Sequence, residues 1–383
     1  MRRHRFPSVG IVWVLFLGVI PARLATAAPG TTSKPPEEPL ATFADAASEW
    51  GTGPEAVIEN VYRQCFRTYI VSGKVLTLRM PFGEETERSE LADTQLKVEG
   101  QGKGDPASLW RLIDDALASG DFRSYVSALE DGREKIVTFD LRKRSWSANT
   151  DWHDIDWMRS GVYLGLPHLI SVLVKGRGVT VPDIYNYLYS VGRLGMDCAG
   201  FVWWVLKAVG KAGGVDLDAT FRRYFGAPTA ATVPLYVGAN FFNPANRYVE
   251  AVKDEVRNLL PGDVIAFRGP KGTMVHSAVV QSVDLAKGTI RYLQSTDEAP
   301  QEERGVHESL VTFDPTRPDV SLKDPALVWR QRGAPPFFGE ADSGYRDDGE
   351  RYRAHADLGG GVVVRVKVLK PVVDKLRAAR TRS

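Results

Sequence analysis

The stretch Gly195-Met196-Asp197-Cys198-Ala199-Gly200-Phe201-Val202-Trp203-Trp204-Val205-Leu206-Lys207-Ala208-Val209-Gly210 decides how the rest of the chain is read. It reads as a helix with a cysteine in its first turn. Asp197 is a good N-cap type, because its side-chain oxygen accepts a free backbone N–H. Phe201, Val202, Val205, Leu206 and Val209 recur at helical spacing and make one face apolar. Gly210 follows the last of them and reads as the stop. Cys198 then lies among unpaired N–H groups at the positive end of the helix. That setting favours the thiolate, the nucleophilic form of the side chain. The same position also suits an inert core thiol, so the helix by itself leaves a reactive and a structural cysteine equally open.

The chain has 383 residues, room for two or three domains, with 43% hydrophobic and 25% charged residues, the balance of an ordinary folded protein. A formal net charge of +2 gives no electrostatic reason to expect a nucleic-acid partner. Residues 1–27 read as a secretory signal peptide: a basic start, a short apolar run from Val9 to Ile20, and Ala25-Thr26-Ala27 as the cleavage site. The apolar run is short for a bilayer and no other segment looks transmembrane, so a secreted or periplasmic protein without stable membrane insertion is expected. Cys65 and Cys198 are the only cysteines. In an exported chain a disulfide between them is a competing reading that would silence Cys198. No close-spaced cysteine pair suggests a metal, and no cofactor or metal is expected.

Residues 28–42 read as a flexible leader rich in Pro, Ser, Thr, Gly and Glu. Residues 43–150 read as a separate N-terminal α+β accessory lobe. Short helices are expected over 41–62, a strand over 68–80, helices over 107–117 and 122–129, and a strand over 135–141. His153 reads as part of a polar loop entering a helix and His168 as a helix-face residue. The second domain, 151–335, begins with a tyrosine-rich lead-in containing Tyr185, Tyr187 and Tyr189, followed by the cysteine helix and a long mixed stretch. Leu259-Leu260-Pro261-Gly262-Asp263 then signals a tight turn, shaped by Asp263. Strands are expected over 264–267, 276–283 and 289–294. The order, helix first and antiparallel meander second, implies an α+β fold. Residues 336–383 read as a charged C-terminal segment with one strand near 359–368 and a solvated basic end.

A cysteine hydrolase needs a thiolate, an imidazole to shuttle the proton, and a third group to fix the imidazole. Cys198 opens a helix, His276 opens a strand, and Gln294 lies near the end of the neighbouring strand, where a neutral amide could accept the imidazole N–H. Asp197-Cys198-Ala199-Gly200-Phe201-Val202, Leu260-Pro261-Gly262-Asp263-Val264-Ile265-Ala266-Phe267 and His276-Ser277-Ala278-Val279-Val280 occur in that order. Together they resemble the cysteine-helix, Pro-Gly-Asp and histidine-strand motifs of the NlpC-type cell-wall cysteine peptidases, a papain-like superfamily, over about Pro182 to Thr296. The family's Tyr-x-Trp-Gly-Gly lead-in is missing, and Ala199 stands where it usually has serine. The resemblance implies a papain-like helix-plus-antiparallel-sheet catalytic domain that cuts amide bonds in peptidoglycan stem peptides. It implies Cys198 as nucleophile, His276 as base and then acid, and Gln294 as orienter, with His307 as a rival third member. Tyr187, Tyr189, Asp197 and Trp203 are the candidate substrate-binding residues. A non-catalytic secreted binding protein of the same fold, and an amidase or acyltransferase with another substrate, are the alternatives.

Overall fold

A computed structural model describes residues 51–83, 106–131, 135–140, 145–149, 169–174, 176–188, 194–296, 298–299, 304–331 and 348–380. The expected signal peptide and leader, His153, His168 and Tyr189 lie outside the described residues.

The fold is mixed helix and antiparallel sheet. In chain order it has α1 (Pro54–Arg63), the hairpin β1 (Phe66–Val71) and β2 (Lys74–Arg79), α2 (Pro106–Ala118), α3 (Gly120–Glu130), β3 (Lys135–Asp140), β4 (Ser145–Asn149) and β5 (Leu169–Val174). Then come α4 (Val181–Tyr187), the cysteine helix α5 (Cys198–Ala212), α6 (Leu217–Phe225), β6 (Val249–Val252), β7 (Val264–Arg268), β8 (Met274–Asp284) and β9 (Thr289–Thr296). The chain continues through β10 (Gly305–Thr312), β11 (Val328–Gln331), α7 (Asp348–Arg353), β12 (Val362–Val366) and α8 (Lys370–Arg380). A three-stranded sheet runs β4-β3-β5, and a seven-stranded sheet runs β11-β10-β9-β8-β7-β12-β6.

Residues alternate across the large sheet with the period of two that a pleated strand imposes. Val264, Ala266, Val279, Leu293, Val306 and Val364 join the apolar cluster that contains Phe201, Val202, Val205, Leu206 and Val209 of α5. Ile265, Phe267, Ala278, Val280, Tyr292 and Val363 join a second cluster that holds Trp329 and, from α7, Tyr352. Buried apolar area is the main stabilising term in such a fold, and here it covers the sheet on both faces.

Helix α5 begins as expected, with the Asp197 side chain accepting from the Gly200 N–H at 2.6 Å. It does not stop at Gly210. That glycine is buried, and a Cβ there would stand 2.8 Å from the Val215 carbonyl oxygen. Its lack of a side chain serves close packing, and the helix runs on to Ala212 with Gly213 as its cap.

Three further expectations are corrected. Residues 68–80 are not one strand: β1 and β2 pair antiparallel around Ser72-Gly73, both at positive φ (51° and 75°), the geometry of a tight hairpin turn. The N-terminal stretch does not pack as a separate lobe, because Ile58, Val61, Leu109 and Phe122 belong to the same apolar cluster as α5. An ion triad reinforces this: Arg291 on β9 bonds both Glu59 of α1 and Glu308 of β10, with its guanidinium 5.1 Å from the Tyr62 ring centroid. Nor is the C-terminal segment peripheral. Its strand, expected near 359–368, pairs with both β7 and β6, and the basic end forms α8. Arg365 of β12 makes two bonds, 2.6 and 2.7 Å, to Asp263, whose carboxylate also accepts from the Leu260 N–H at 2.7 Å. The Pro-Gly-Asp turn is thereby tied to the inserted strand.

Candidate active site

The tip of α5 is set against the sheet by close backbone crossings. A Cβ on Gly195 would stand 2.4 Å from the Phe82 carbonyl carbon and the Gly83 nitrogen, so only glycine fits. Met196 N–H donates to the Pro81 carbonyl at 2.8 Å, and the Met196 carbonyl accepts from Ser295 Oγ at 2.6 Å. Cys198 follows as the first residue of α5 and is half-buried. Its sulfur lies beside Ser277 of β8, the residue next to His276.

His276 is aimed by a β-bulge. Phe267 pairs with His276 while Arg268 pairs with Met274, which leaves Val275 as the extra residue, 48% exposed. Bulges bend a strand locally and re-aim its side chains. The imidazole is buried, with its ring 5.2 Å from that of Phe267. Its Nε2 lies 2.7 Å from Gln294 Oε1. Gln294 is itself fully buried, and its Nε2 donates to Ser309 Oγ at 3.0 Å and to Asp348 Oδ2 at 2.7 Å. Both amide N–H groups are thus used, so the oxygen facing the imidazole is an acceptor and His276 Nε2 carries the proton. In the neutral ring the lone pair then sits on Nδ1.

The electrostatics of the sulfur overturn one expectation. The helix start was expected to favour the thiolate. Instead burial pushes the Cys198 thiol up to about 12, and the neighbouring Asp197 carboxylate adds to the rise. The Ser277 N–H, the Arg351 guanidinium and the Ser277 hydroxyl pull the other way without reversing it. The Ser277 hydroxyl completes no hydrogen bond of full geometry. The capping carboxylate, which takes the Gly200 N–H, sets a negative charge against the sulfur and adds to the effect of burial.

Two other expectations concern the partners of Cys198 and of His276. Cys65 and Cys198 are both free. Cys65 is fully buried with its thiol donating to the Val61 carbonyl, so the competing disulfide is absent. His307 pairs across the strands with Gln294 but does not reach His276; its Nδ1 contacts the Gly305 carbonyl at 3.1 Å, and burial lowers it to about 3, with Arg79 adding to the shift.

The candidate substrate residues fare less well. Tyr187 is buried away from the sulfur, its ring 4.9 Å from Phe122 and 5.5 Å from Tyr125 and its hydroxyl 3.0 Å from Ser119 Oγ. Apolar helix packing between α4 and α3 claims it. Trp203 is core, not groove wall: it is fully buried, bonds Asp218 through its indole N–H at 2.9 Å and lies edge-on to Phe221, Phe225 and Phe241. Asp197 is the helix cap described above.

Sequence reasoning missed Asp348 and Arg351, both on α7. Asp348 is fully buried and also accepts from the Tyr292 hydroxyl at 2.8 Å. Arg351 lies 5.3 Å over the Phe267 ring and bonds Glu298 at 2.6 Å. Tyr352, the buried apolar anchor that seats this six-residue helix by stacking 5.2 Å from Trp329, was the signal available.

A cavity of about 760 Å³ opens on the opposite side of α5, lined by Val61, Trp204, Lys207, Lys211 and Asp218, and contains none of Cys198, His276 or Gln294. Among the described residues no cluster of three or more His, Cys, Asp or Glu side chains is placed to hold a metal ion, and no helix is long and apolar enough to cross a membrane. No protein-family model, no curated protein and no solved structure matches the chain.

Proposed function

We propose that this chain is an exported cysteine hydrolase of papain-like design that cuts amide bonds in peptidoglycan stem peptides. The observation that carries the reading is the buried 2.7 Å bond between His276 and Gln294, on the strand whose next residue lies beside the Cys198 sulfur. In this reading the Cys198 thiol passes its proton to His276 Nδ1 as the sulfur attacks the carbonyl carbon, and a C–S bond forms. Because burial pushes the thiol up, transfer and attack are coupled in this reading. The oxyanion takes the Cys198 N–H, which has no partner within the helix. The imidazolium then protonates the leaving amine as the C–N bond breaks. Water, deprotonated by the same imidazole, cleaves the thioester and returns the thiol. Gln294 holds one ring orientation through both halves of the cycle.

The test is release of peptides from purified sacculi by the wild-type chain and by Cys198→Ala. Release is expected from the first and not the second; equal release removes the mechanism. A second reading, a non-catalytic binding protein that keeps the fold, draws on the raised thiol pKa. It predicts sacculus binding with no release from either chain.

A further inference from the structure

We infer that Asp348 is a fourth member of the relay, a positioning residue that sets which way round the Gln294 amide stands and so which nitrogen of His276 carries the proton. The inference rests on the cysteine-hydrolase reading of Cys198 and His276.

A glutamine amide has an acceptor end and a donor end of nearly equal size, so a lone glutamine beside a histidine presents either one. If the N–H₂ end faced Nε2, the imidazole would be held with its lone pair toward Gln294, and Nδ1 would carry the proton and be useless as a base. The choice depends on what meets the far end of the amide. A carboxylate accepts and cannot donate. Asp348 Oδ2, 2.7 Å from Gln294 Nε2, therefore takes an N–H, and the oxygen is left for His276. Ser309 Oγ, at 3.0 Å, takes the second N–H. Tyr292, two residues before Gln294 on β9, donates its hydroxyl to the same carboxylate oxygen at 2.8 Å and fixes its position. Gln294, Ser309, Tyr292 and Asp348 are all fully buried.

The role is not that of a filler. Asp348 comes from a helix 54 residues beyond Gln294 and 72 beyond His276 in the numbering. A buried acid is costly unless it is fully bonded, and this one is bonded to the group that orients the imidazole.

The experiment measures the rate at which iodoacetamide alkylates Cys198 at pH 7 in the full chain, read by peptide mass spectrometry, with no substrate required. His276→Ala tests the underlying reading and is expected to slow alkylation at least tenfold. Asp348→Leu is expected to slow it about tenfold. Gln294→Glu alone, which sets two carboxylates against each other, is expected to slow it as much. In the double variant Gln294→Glu, Asp348→Asn, the new amide donates to the new carboxylate, and the rate is expected to return to within about threefold of wild type. A merely structural role for Asp348 predicts no such recovery. If Asp348→Leu fails to fold by circular dichroism, the double variant decides the matter. A wild-type rate in folded Asp348→Leu, or a double variant no faster than Gln294→Glu, overturns the inference while a slow His276→Ala leaves the hydrolase reading standing. A wild-type rate in His276→Ala overturns both.

Discussion

Two neighbouring strands divide the candidate site between their two faces. On one face Ser277 of β8 and Ser295 of β9 meet the tip of α5, the first beside the Cys198 sulfur and the second bonded to the Met196 carbonyl. On the other, the preceding residues His276 and Gln294 bond each other and reach Asp348. Successive residues of a strand point to opposite faces, so the transfer proposed from Cys198 to His276 runs past the strand end that the Val275 bulge bends. The sulfur face is built from a helix cap, a glycine crossing and small hydroxyls. The imidazole face is built from a chain of buried hydrogen bonds that ends in a carboxylate. The first places an atom; the second sets the direction of a proton.

The largest effect expected is on turnover. Cys198→Ala and His276→Ala, one from each face, should each lower peptide release at least 1,000-fold, the scale on which removal of one member of such a unit acts. Unchanged melting temperatures would show that chemistry and not folding was lost. Arg291→Met tests whether the packing beneath the site is as shared as the ion triad implies. It removes the cation that Glu59 and Glu308, 6% and 10% exposed, share, leaves Glu59 with Arg63, and should destabilise the fold by about 3 kcal/mol in denaturant titration. Gln294→Ala leaves the sulfur face intact and should cost about 100-fold in kcat with KM nearly unchanged. An equal loss after Gln294→Asn would mean that reach, as well as amide chemistry, is required.

A smaller effect separates His307 from the relay. Its buried imidazole is held neutral, at about 3 against an ordinary 6.5. Because the folded value lies below the unfolded one, the stability it contributes is present above about pH 6.5 and is lost as pH falls toward 3. His307→Phe should therefore flatten the acid limb of the stability curve over that window and leave any peptide release by the folded protein near that of wild type. A turnover loss matching that of Gln294→Ala would move His307 into the site. The smallest effect is a count: native protein should show at most one thiol to Ellman's reagent and unfolded protein two, since Cys65 is fully buried and neither cysteine is bridged.

What was legible in the sequence follows the same division. The sulfur face announces itself in contiguous residues, because a cap, a helical stripe and a glycine are local signals: Asp197, Cys198 and the Phe201–Val209 stripe read correctly as helix α5. The three strands of the meander were legible from turn residues and apolar runs, and their order fixed Gln294 beside His276. The imidazole face was half legible. Gln294 has no local signature, and Asp348 has less, since an acid in a charged segment reads as solvated surface until Tyr352 is seen to bury the helix that carries it. Tyr187 and Trp203 misled because aromatic residues near a motif serve core packing as readily as a groove. The thiol misled because burial pushes it up and the cap that starts the helix adds its own negative charge.

The most direct measurement is intact-mass analysis of the wild-type chain, acid-quenched within its first turnovers on a purified stem peptide and then mapped by proteolysis. The account predicts an acyl group on the peptide containing Cys198, joined as a thioester and absent from His276→Ala. Peptide cleavage with no acyl group on Cys198, or cleavage at an undiminished rate by Cys198→Ala, would contradict it.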